Sequence, residues 1–488
     1  MNRKNVTRRG FVTGAGASAG FILAGCPEHE PEEVDETPST RTVDVAVVGA
    51  GLAGLSAARA LQEAGHSVHV IEADDRVGGR IWSVRSKTGV MVDWGAHFVA
   101  PQHERLLALA EEFEVSRYAT YNTGLNIQYI DGERDTYQDT IPNIDIKALL
   151  EFGSANEKLN AMAAQIELTA PWETTKAEEW DSQTVWSWIR ANVSEPLTQK
   201  LLDVVVTTFM SVETREVSLL HLLFYIRSAG SLDVLINTAG GAQDSQFSGG
   251  TQQITELLAH ELGEEALTLS SPVRKVVTEG DSNTVYSDRV TVVARRVVIA
   301  VPPPLIPRIV FEPGLSARKD LLYQRLPMGS TGKAIAIYDS PFWRDDGLTG
   351  QVTSDRGPVK VTFDVSPESG SPGVILGFID GQDAREFGLL SADERKREVL
   401  EQFTVWFGEK AGSPQEYLDI LWDALPLHRG CPAAVPGPGA IVGFRDALRA
   451  ADGFIHFAST ETALEWSGYM EGAIQAGQLA AAAVIEEL

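Results

Sequence analysis

The chain of 488 residues carries only two cysteines, Cys26 and Cys431. It has no CxxC or HExxH spacing, so no zinc-type ligand set is offered. Basic residues are scarce, with 41 Lys and Arg against 67 Asp and Glu and a net charge of −26. That balance argues against a nucleic-acid partner, because neutralising phosphates needs clustered Lys and Arg. It is compatible with drawing in small cations and equally with plain solubility. Beyond the first 30 residues no apolar run reaches membrane-spanning length. Internal repeats are absent as well. What remains is an ordinary globular composition, 43% hydrophobic and 22% charged, at a length that predicts two domains.

The start of the chain reads as a processing signal. "TRRGFV" places Arg8 and Arg9 before a mildly apolar, Gly/Ala-rich stretch, 11–25. The stretch ends in "LAGC", which resembles the lipobox of bacterial lipoproteins. Residues 1–26 are therefore expected to be a twin-arginine signal that leaves a lipid on Cys26. Residues 27–41, acidic and Pro-rich, are expected to be a disordered tether. The expected location is the bacterial periplasm or cell envelope, with any membrane attachment through that lipid. With Cys26 lipidated, Cys431 has no intramolecular disulfide partner.

"RTVDVAVVGAGLAGLSAARALQEAGHSVHVIEA" carries the first chemical signal. Residues 43–48 are apolar and β-branched, which predicts a strand. Gly49, Ala50, Gly51, Leu52, Ala53 and Gly54 follow, and small and apolar residues then run as a helix to Ala64. A second strand, 67–71, ends at Glu72. This is the Rossmann-type dinucleotide pattern. Gly49 permits the tight turn, Gly51 lets backbone approach a diphosphate, and Gly54 packs helix on strand. The helix N-terminus offers free N–H groups, and Glu72 stands where an acid accepts from a ribose.

Several segments then match one family in order. "DDRVGGRIWS" supplies Gly79 and Arg80, and "VDWGAHFV" supplies Gly95, Ala96 and His97. "AGGAQDSQFSGG" contains Gln243, "SSPVRKV" contains Val273, and "RLPMGSTGKAIAIYDSPFW" contains Lys333. "FIHFASTETALEWSGYMEGAIQAGQLAAAAVI" holds Glu461, Tyr469 and Met470. Over nearly the whole expected mature chain the sequence resembles the flavin-containing monoamine oxidase family, in its monoamine and putrescine oxidase branch.

The resemblance implies FAD as cofactor and oxidation of a primary or secondary amine. The products would be an imine, hydrolysed to an aldehyde, and hydrogen peroxide from O2. It places Gly49, Gly51, Leu52, Ala53, Gly54, Glu72, Gly79, Arg80, Gly95, Ala96, Val273, Trp422, Cys431, Glu461, Tyr469 and Met470 at the cofactor. Lys333 would hold a water against the flavin, and Tyr469 would present its ring to the amine. Gln243 would be a polar cavity residue. His97 is either a cavity group or a core histidine satisfied by backbone. The helix opening at Tyr469 and Met470 would aim its positive end at the reduced ring.

The pattern also departs. A second cage aromatic would directly follow Cys431, but Pro432 stands there. "RGCPAAVPGPG" aligns with the loop in which some family members tether flavin through a cysteine thioether, so Cys431 is either a covalent anchor or a wall residue. Three rival readings stay open: an L-amino-acid oxidase of the same superfamily, a flavin desaturase or porphyrinogen-type oxidase, and a non-catalytic flavin-binding lipoprotein. Arg227 in "FYIRSAG" is the carboxylate-binding candidate for the first.

The expected fold is α/β: a Rossmann-like FAD domain (42–117, 248–322 and 425–488) interleaved with a substrate domain (118–247 and 323–424). The latter would combine helices at 145–166, 196–208 and 215–227 with a mixed sheet drawn from 333–339, 359–364 and 373–379.

Overall fold

The strand Ser39–Val48 anchors the first layer. Its Val45, Ala46, Val47 and Val48 are buried, as a parallel strand covered on both faces requires. It pairs in parallel with Val68–Ile71 on one side and Val290–Ile299 on the other. In this computed structural model, residues 38–138 and 143–488 are described. The expected signal with Arg8, Arg9 and Cys26, and most of the expected tether, lie outside them.

The eight-stranded sheet around Ser39–Val48 runs Leu267–Thr268, Val68–Ile71, Ser39–Val48, Val290–Ile299, Ser282–Ser287, Val273–Glu279, Val310–Glu312. Ile455–Phe457 adds in parallel beside Val290–Ile299. Helix Leu52–Glu63 makes the crossover from the first strand to the second. It packs with the C-terminal helix Met470–Glu487 in one apolar cluster that includes Leu55, Leu61, Ile474 and Val484.

A seven-stranded sheet forms the second layer, in the order Glu416–Leu421, Thr331–Tyr338, Gly373–Asp380, Val361–Asp364, Leu348–Ser354, Leu125–Ile130, Glu133–Tyr137. Thr331–Tyr338 is interior, paired on both sides and buried along its whole length. Its two faces meet different partners, because successive side chains point opposite ways. Ala334, Ala336 and Tyr338 pack with Phe403 and Trp406 of helix Ala392–Phe407. Ile335 and Ile337 pack on the other face, with Val92 and Leu376.

The helices Ile146–Ala163, Pro196–Met210 and Leu219–Ala229 build a separate core with Trp180 and Trp188. Pro196 opens its helix where a missing N–H costs nothing. The third helix begins later than its periodicity predicts. Residues before it are held instead by backbone bonds, Trp186 N to Thr214 O and Val185 N to Val217 O. The architecture is a mixed α/β fold with two large mixed sheets and a helical layer.

Candidate functional site

A cavity of about 670 Å³ is lined by the glycine loop, the inner sheet face and the helical layer together. At one end, Gly49 has φ +108°, and a Cβ on Gly54 would fall 1.9 Å from the Gly49 carbonyl oxygen. The loop is therefore closed to any larger residue at these two positions. Gly51 differs: a Cβ there would meet nothing nearer than Gly78 O at 4.0 Å. Its openness is toward the cavity, where a ligand's backbone-bound group can approach. Leu52 and Ala53 form the helix's first turn, no side chain caps it, and both line the cavity. Their free N–H groups suit a diphosphate.

Glu72 lines this end but is already engaged. Its Oε2 accepts from Ala50 N at 2.6 Å and its Oε1 from Asp74 N at 2.8 Å. It thus anchors the loop while each oxygen keeps a second acceptor site for a ribose hydroxyl. Val273 lines the same region beside Pro272 and Arg274.

Arg80 and Glu461 join the loop to the far C-terminal segment. Arg80 Nη1 donates to Glu461 Oε1 at 2.8 Å and to Pro432 O at 2.6 Å, while Nη2 donates to Glu461 Oε2 at 3.2 Å. Glu461 also accepts from Ala434 N at 2.9 Å. Burial works against the Glu461 charge, but Arg80 overcomes it and holds the carboxyl below its usual range. Gly79 O accepts from Arg76 Nη2 at 2.9 Å. Ala96 N donates to Arg80 O at 3.1 Å, so Gly79 through Ala96 form one stitched wall.

Lys333 projects from the interior strand to this wall. Its Nζ donates to Asp93 O at 3.2 Å and to Gly95 O, and lies 5.3 Å from the Phe378 ring centre. Burial pulls its pKa down to about 8. The lysine that opens a strand is here no solvated edge residue but a buried cation held by backbone carbonyls. Trp422 is buried and donates through Nε1 to Trp94 O at 2.9 Å. Trp82 stands edge-on to it, with ring centres 6.4 Å apart.

Cys431 is a free thiol, half-buried in the cavity wall. Burial pushes its pKa up to about 11, against the pull of Arg80 and Lys333. His97 lines the cavity as well. Its Nδ1 bonds Asp93 Oδ2 at 2.7 Å, and its buried Nε2 has no partner. The partner that holds this histidine is thus a carboxylate and not backbone. Gln243 lines the cavity, donating from Nε2 to Leu235 O at 3.2 Å while Oε1 stays buried and unpartnered.

The other end is aromatic and neutral. Tyr469 lies 5.8 Å from Tyr225, which stacks on Phe209 at 5.7 Å. Burial pushes the Tyr469 hydroxyl up to about 12, so it stays a neutral phenol. Gly468 has φ +89°, and a Cβ there would meet the Tyr225 ring at 3.0 Å. The helix that begins at Met470 is uncapped by any side chain, and Met470 and Ala473 line the cavity. Phe363, Phe378, Asn122, Gln351 and Thr353 also line the cavity, Phe378 beside Lys333.

Tyr225, Phe209 and Phe378 escaped the sequence reading. "LLHLLFYIRSA" is apolar apart from His221, Arg227 and Ser228, so nothing marks Tyr225 as the one that faces a cavity. Pro432, which stands where an aromatic was expected, also lines the cavity and lends its carbonyl to Arg80. An aromatic that lines the cavity beside Tyr469, Tyr225, comes instead from helix Leu219–Ala229. Arg227, on the same helix, is exposed and does not line the cavity. Among the described residues, no group of three or more His, Cys, Asp and Glu is arranged to hold a metal ion, and no helix is long and apolar enough to cross a membrane.

Comparison with known proteins agrees with this geometry. Residues 52–485 match the family described as flavin containing amine oxidoreductase. The Mycobacterium tuberculosis protein AofH, assigned as a flavin-containing monoamine oxidase, is 39% identical over 443 residues, 91% of this chain and 96% of that protein. A flavin-containing amine oxidase of Oncorhynchus mykiss is 35% identical, covering 92% of this chain and 86% of its own. Among solved structures, a putrescine oxidase bound to putrescine superposes with a TM-score of 0.89 at 31% identity, covering 92% of this chain and 100% of its own.

Proposed function

The chain belongs to the flavin-containing amine oxidoreductase family, and from that premise we propose that its cavity oxidises an amine without a carboxylate, using FAD and passing the electrons to O2. The observation that carries this reading is the contrast between the two ends of one cavity. The charged residues that line it, Glu72, Arg80, Arg274, Arg308 and Lys333, belong to the loop end and the wall. Among the described residues of the aromatic end, none is charged.

The cradle fits the cofactor. Leu52 and Ala53 would bind the diphosphate, Glu72 a ribose, and the Arg80–Glu461 pair would fix the wall beside the ring. When bound, FAD supplies a two-electron acceptor for the hydride equivalent from the amine's α-carbon. The protein's part is to orient and to exclude water. Tyr469 and Tyr225 offer neutral aromatic faces to an amine. Gln243 Oε1, buried and unpartnered, offers an acceptor to an N–H. Lys333 keeps a positive charge and N–H donors at the wall, where oxygen gains electrons.

An amino-acid oxidase would need a cation for the substrate carboxylate at the aromatic end. The exposed position of Arg227 favours the amine reading over that rival. The decisive experiment is anaerobic mixing of purified protein with arylalkylamines, alkylamines, diamines and amino acids. Bleaching of the flavin by simple amines, with peroxide once air is admitted, is the expected result. No bleaching by any amine would sink the reading, and reduction without peroxide would point to another electron acceptor.

Cys431 is proposed as a covalent anchor for the flavin, supported by its place in the cavity wall. Export with lipid on Cys26 is proposed from "TRRGFV" and "LAGC" alone. A membrane-extracted protein whose mass begins at lipidated Cys26 would support it, and one retaining Arg8 and Arg9 would refute it.

A further inference from the structure

Asp380 is a buried carboxyl that neither the cofactor cradle nor the aromatic end accounts for. It is 1% exposed. Its Oδ1 accepts from Thr331 Oγ1 and from Ser211 Oγ, each at 2.7 Å. Its Oδ2 is buried and has no hydrogen-bond partner. Both hydroxyl residues that touch it, Thr331 and Ser211, line the cavity. A buried carboxylate oxygen left unpaired is costly, so this group is built either to hold a proton or to receive one.

The strand register puts Asp380 beside the reacting region. Thr331 pairs directly with Asp380, and Lys333 pairs with Phe378. Side chains two residues apart share a face. Thr331, Lys333, Phe378 and Asp380 therefore lie on one face, and three of them line the cavity. Lys333 and Asp380 are diagonal neighbours, a spacing that long side chains span. A hydroxyl can accept one hydrogen bond while donating another, so Thr331 and Ser211 are each fit to pass a proton between cavity and carboxyl.

We propose that Asp380 is the proton store of this site: it takes the proton that a substrate ammonium must shed and returns it when oxygen is reduced. The proposal rests on the amine-oxidation reading. An N–H bond of the ammonium breaks, the proton reaches Asp380 through Thr331 or Ser211, and a neutral amine and a carboxylic acid result. The α-carbon then loses hydrogen with two electrons to the cofactor, and a C=N bond forms. Oxygen takes up those two electrons and that hydrogen, receives the stored proton from Asp380, and leaves as hydrogen peroxide. The carboxylate is restored and no proton is exchanged with water during either half.

The surroundings suit the role. Burial raises the Asp380 pKa to about 7, against the lowering by its two hydroxyl bonds. Nearby Asp383 raises it further and the Lys333 ammonium lowers it. Cys431 is within electrostatic range. Glu213 lies just beyond, accepting from Gln382 N at 2.8 Å, and Asp423 bonds the adjoining Ser330 and Thr331. A group poised near neutrality is an effective proton carrier.

The test counts protons. Holoenzyme in weak buffer, on the alkaline side of neutrality, is reduced by an amine without oxygen in the presence of an indicator dye, and oxygen is then admitted. The wild type should release no proton on reduction and take up none on reoxidation. Asp380→Asn keeps an acceptor for Thr331 and Ser211 but cannot store a proton. It should release one proton per flavin reduced and take one up with oxygen. Thr331→Val, which removes one relay hydroxyl, should keep the wild-type proton count but slow reduction and reoxidation, and provides a second variant should the first fail to load FAD. Wild-type proton counts and unchanged rates in the variants overturn the proposal while leaving amine oxidation intact. A wild type that no amine reduces removes the reading and the proposal together.

Discussion

Arg80 meets Glu461 across 381 residues of the chain, each guanidinium arm on its own carboxylate oxygen, at 2.8 and 3.2 Å. The pair ties the second glycine turn to the segment before the C-terminal helix, and Arg80 reaches Pro432 O from the same nitrogen. It is buried, so neither charge is safely left alone. Glu461→Gln is expected to cost about 3–5 kcal/mol of stability and to lower FAD content. Denaturant unfolding and the absorbance ratio of flavin to protein check both. The carboxyl's pKa is depressed in the fold, so its contribution is complete above the unfolded value of about 4.3. It fades as pH falls through the lower folded value. Wild type should therefore lose stability in that acid window, and Glu461→Gln should lack this component.

Lys333 runs the opposite way. Burial holds its pKa at about 8, below the unfolded value of about 10.4. Between these values the unfolded chain binds the extra proton, so stability should rise as pH climbs from about 8 to about 10. Lys333→Met should flatten that slope. The same variant should still be reduced by amine in the absence of air, while its reaction with oxygen slows roughly a hundredfold. Stopped-flow measurement of the two halves separates them, and equal slowing of both would contradict a role confined to oxygen.

Tyr469 tests whether the ring or the hydroxyl matters. Its phenol stays neutral, so Tyr469→Phe should change kcat/KM only a few-fold. Tyr469→Ala removes the aromatic face and should cost about 1–2 kcal/mol, roughly 5–30-fold in kcat/KM. Tyr225→Phe should behave like Tyr469→Phe, since the two side chains share a hydrogen bond and each variant removes it while keeping its ring.

What could be read from sequence follows from how each residue works. Gly49, Gly51, Gly54 and Glu72 act through backbone geometry at fixed spacing, and their loop is legible because only glycine fits two of those positions. Lys333 was legible by resemblance, but its burial was not. An alternating strand predicts one wet face, and only the tertiary fold shows that both faces of Thr331–Tyr338 are covered. Asp380 and Tyr225 were invisible for a different reason. Each matters through what lies across a strand pair or a helix contact, and no local pattern distinguishes Asp380 from any acid that precedes a helix. Pro432 leaves a gap in the aromatic wall that the sequence alone predicts, and the structure places Tyr225 beside Tyr469 from an element more than 200 residues earlier.

Cys431 supplies the sharpest chemical test. Its thiol lines the cavity, but burial holds its pKa at about 11. The thiolate is the nucleophile, so at neutral pH only a small fraction is ready to bond a flavin carbon, helped by the nearby Arg80 and Lys333 charges. Attachment should therefore be slow and should quicken with rising pH. Purified wild type, denatured and washed, is expected to keep its yellow chromophore on the chain, whereas Cys431→Ala should release it while still binding FAD when folded. Protein loaded with FAD after purification and kept in air should gain the link faster at alkaline pH, read as a mass increase equal to the cofactor less two hydrogens, one from the thiol and one from the flavin carbon, which leave on oxygen as peroxide. If wild type releases all its flavin at every pH, the cysteine is a wall residue, and the raised thiol pKa is the physical reason.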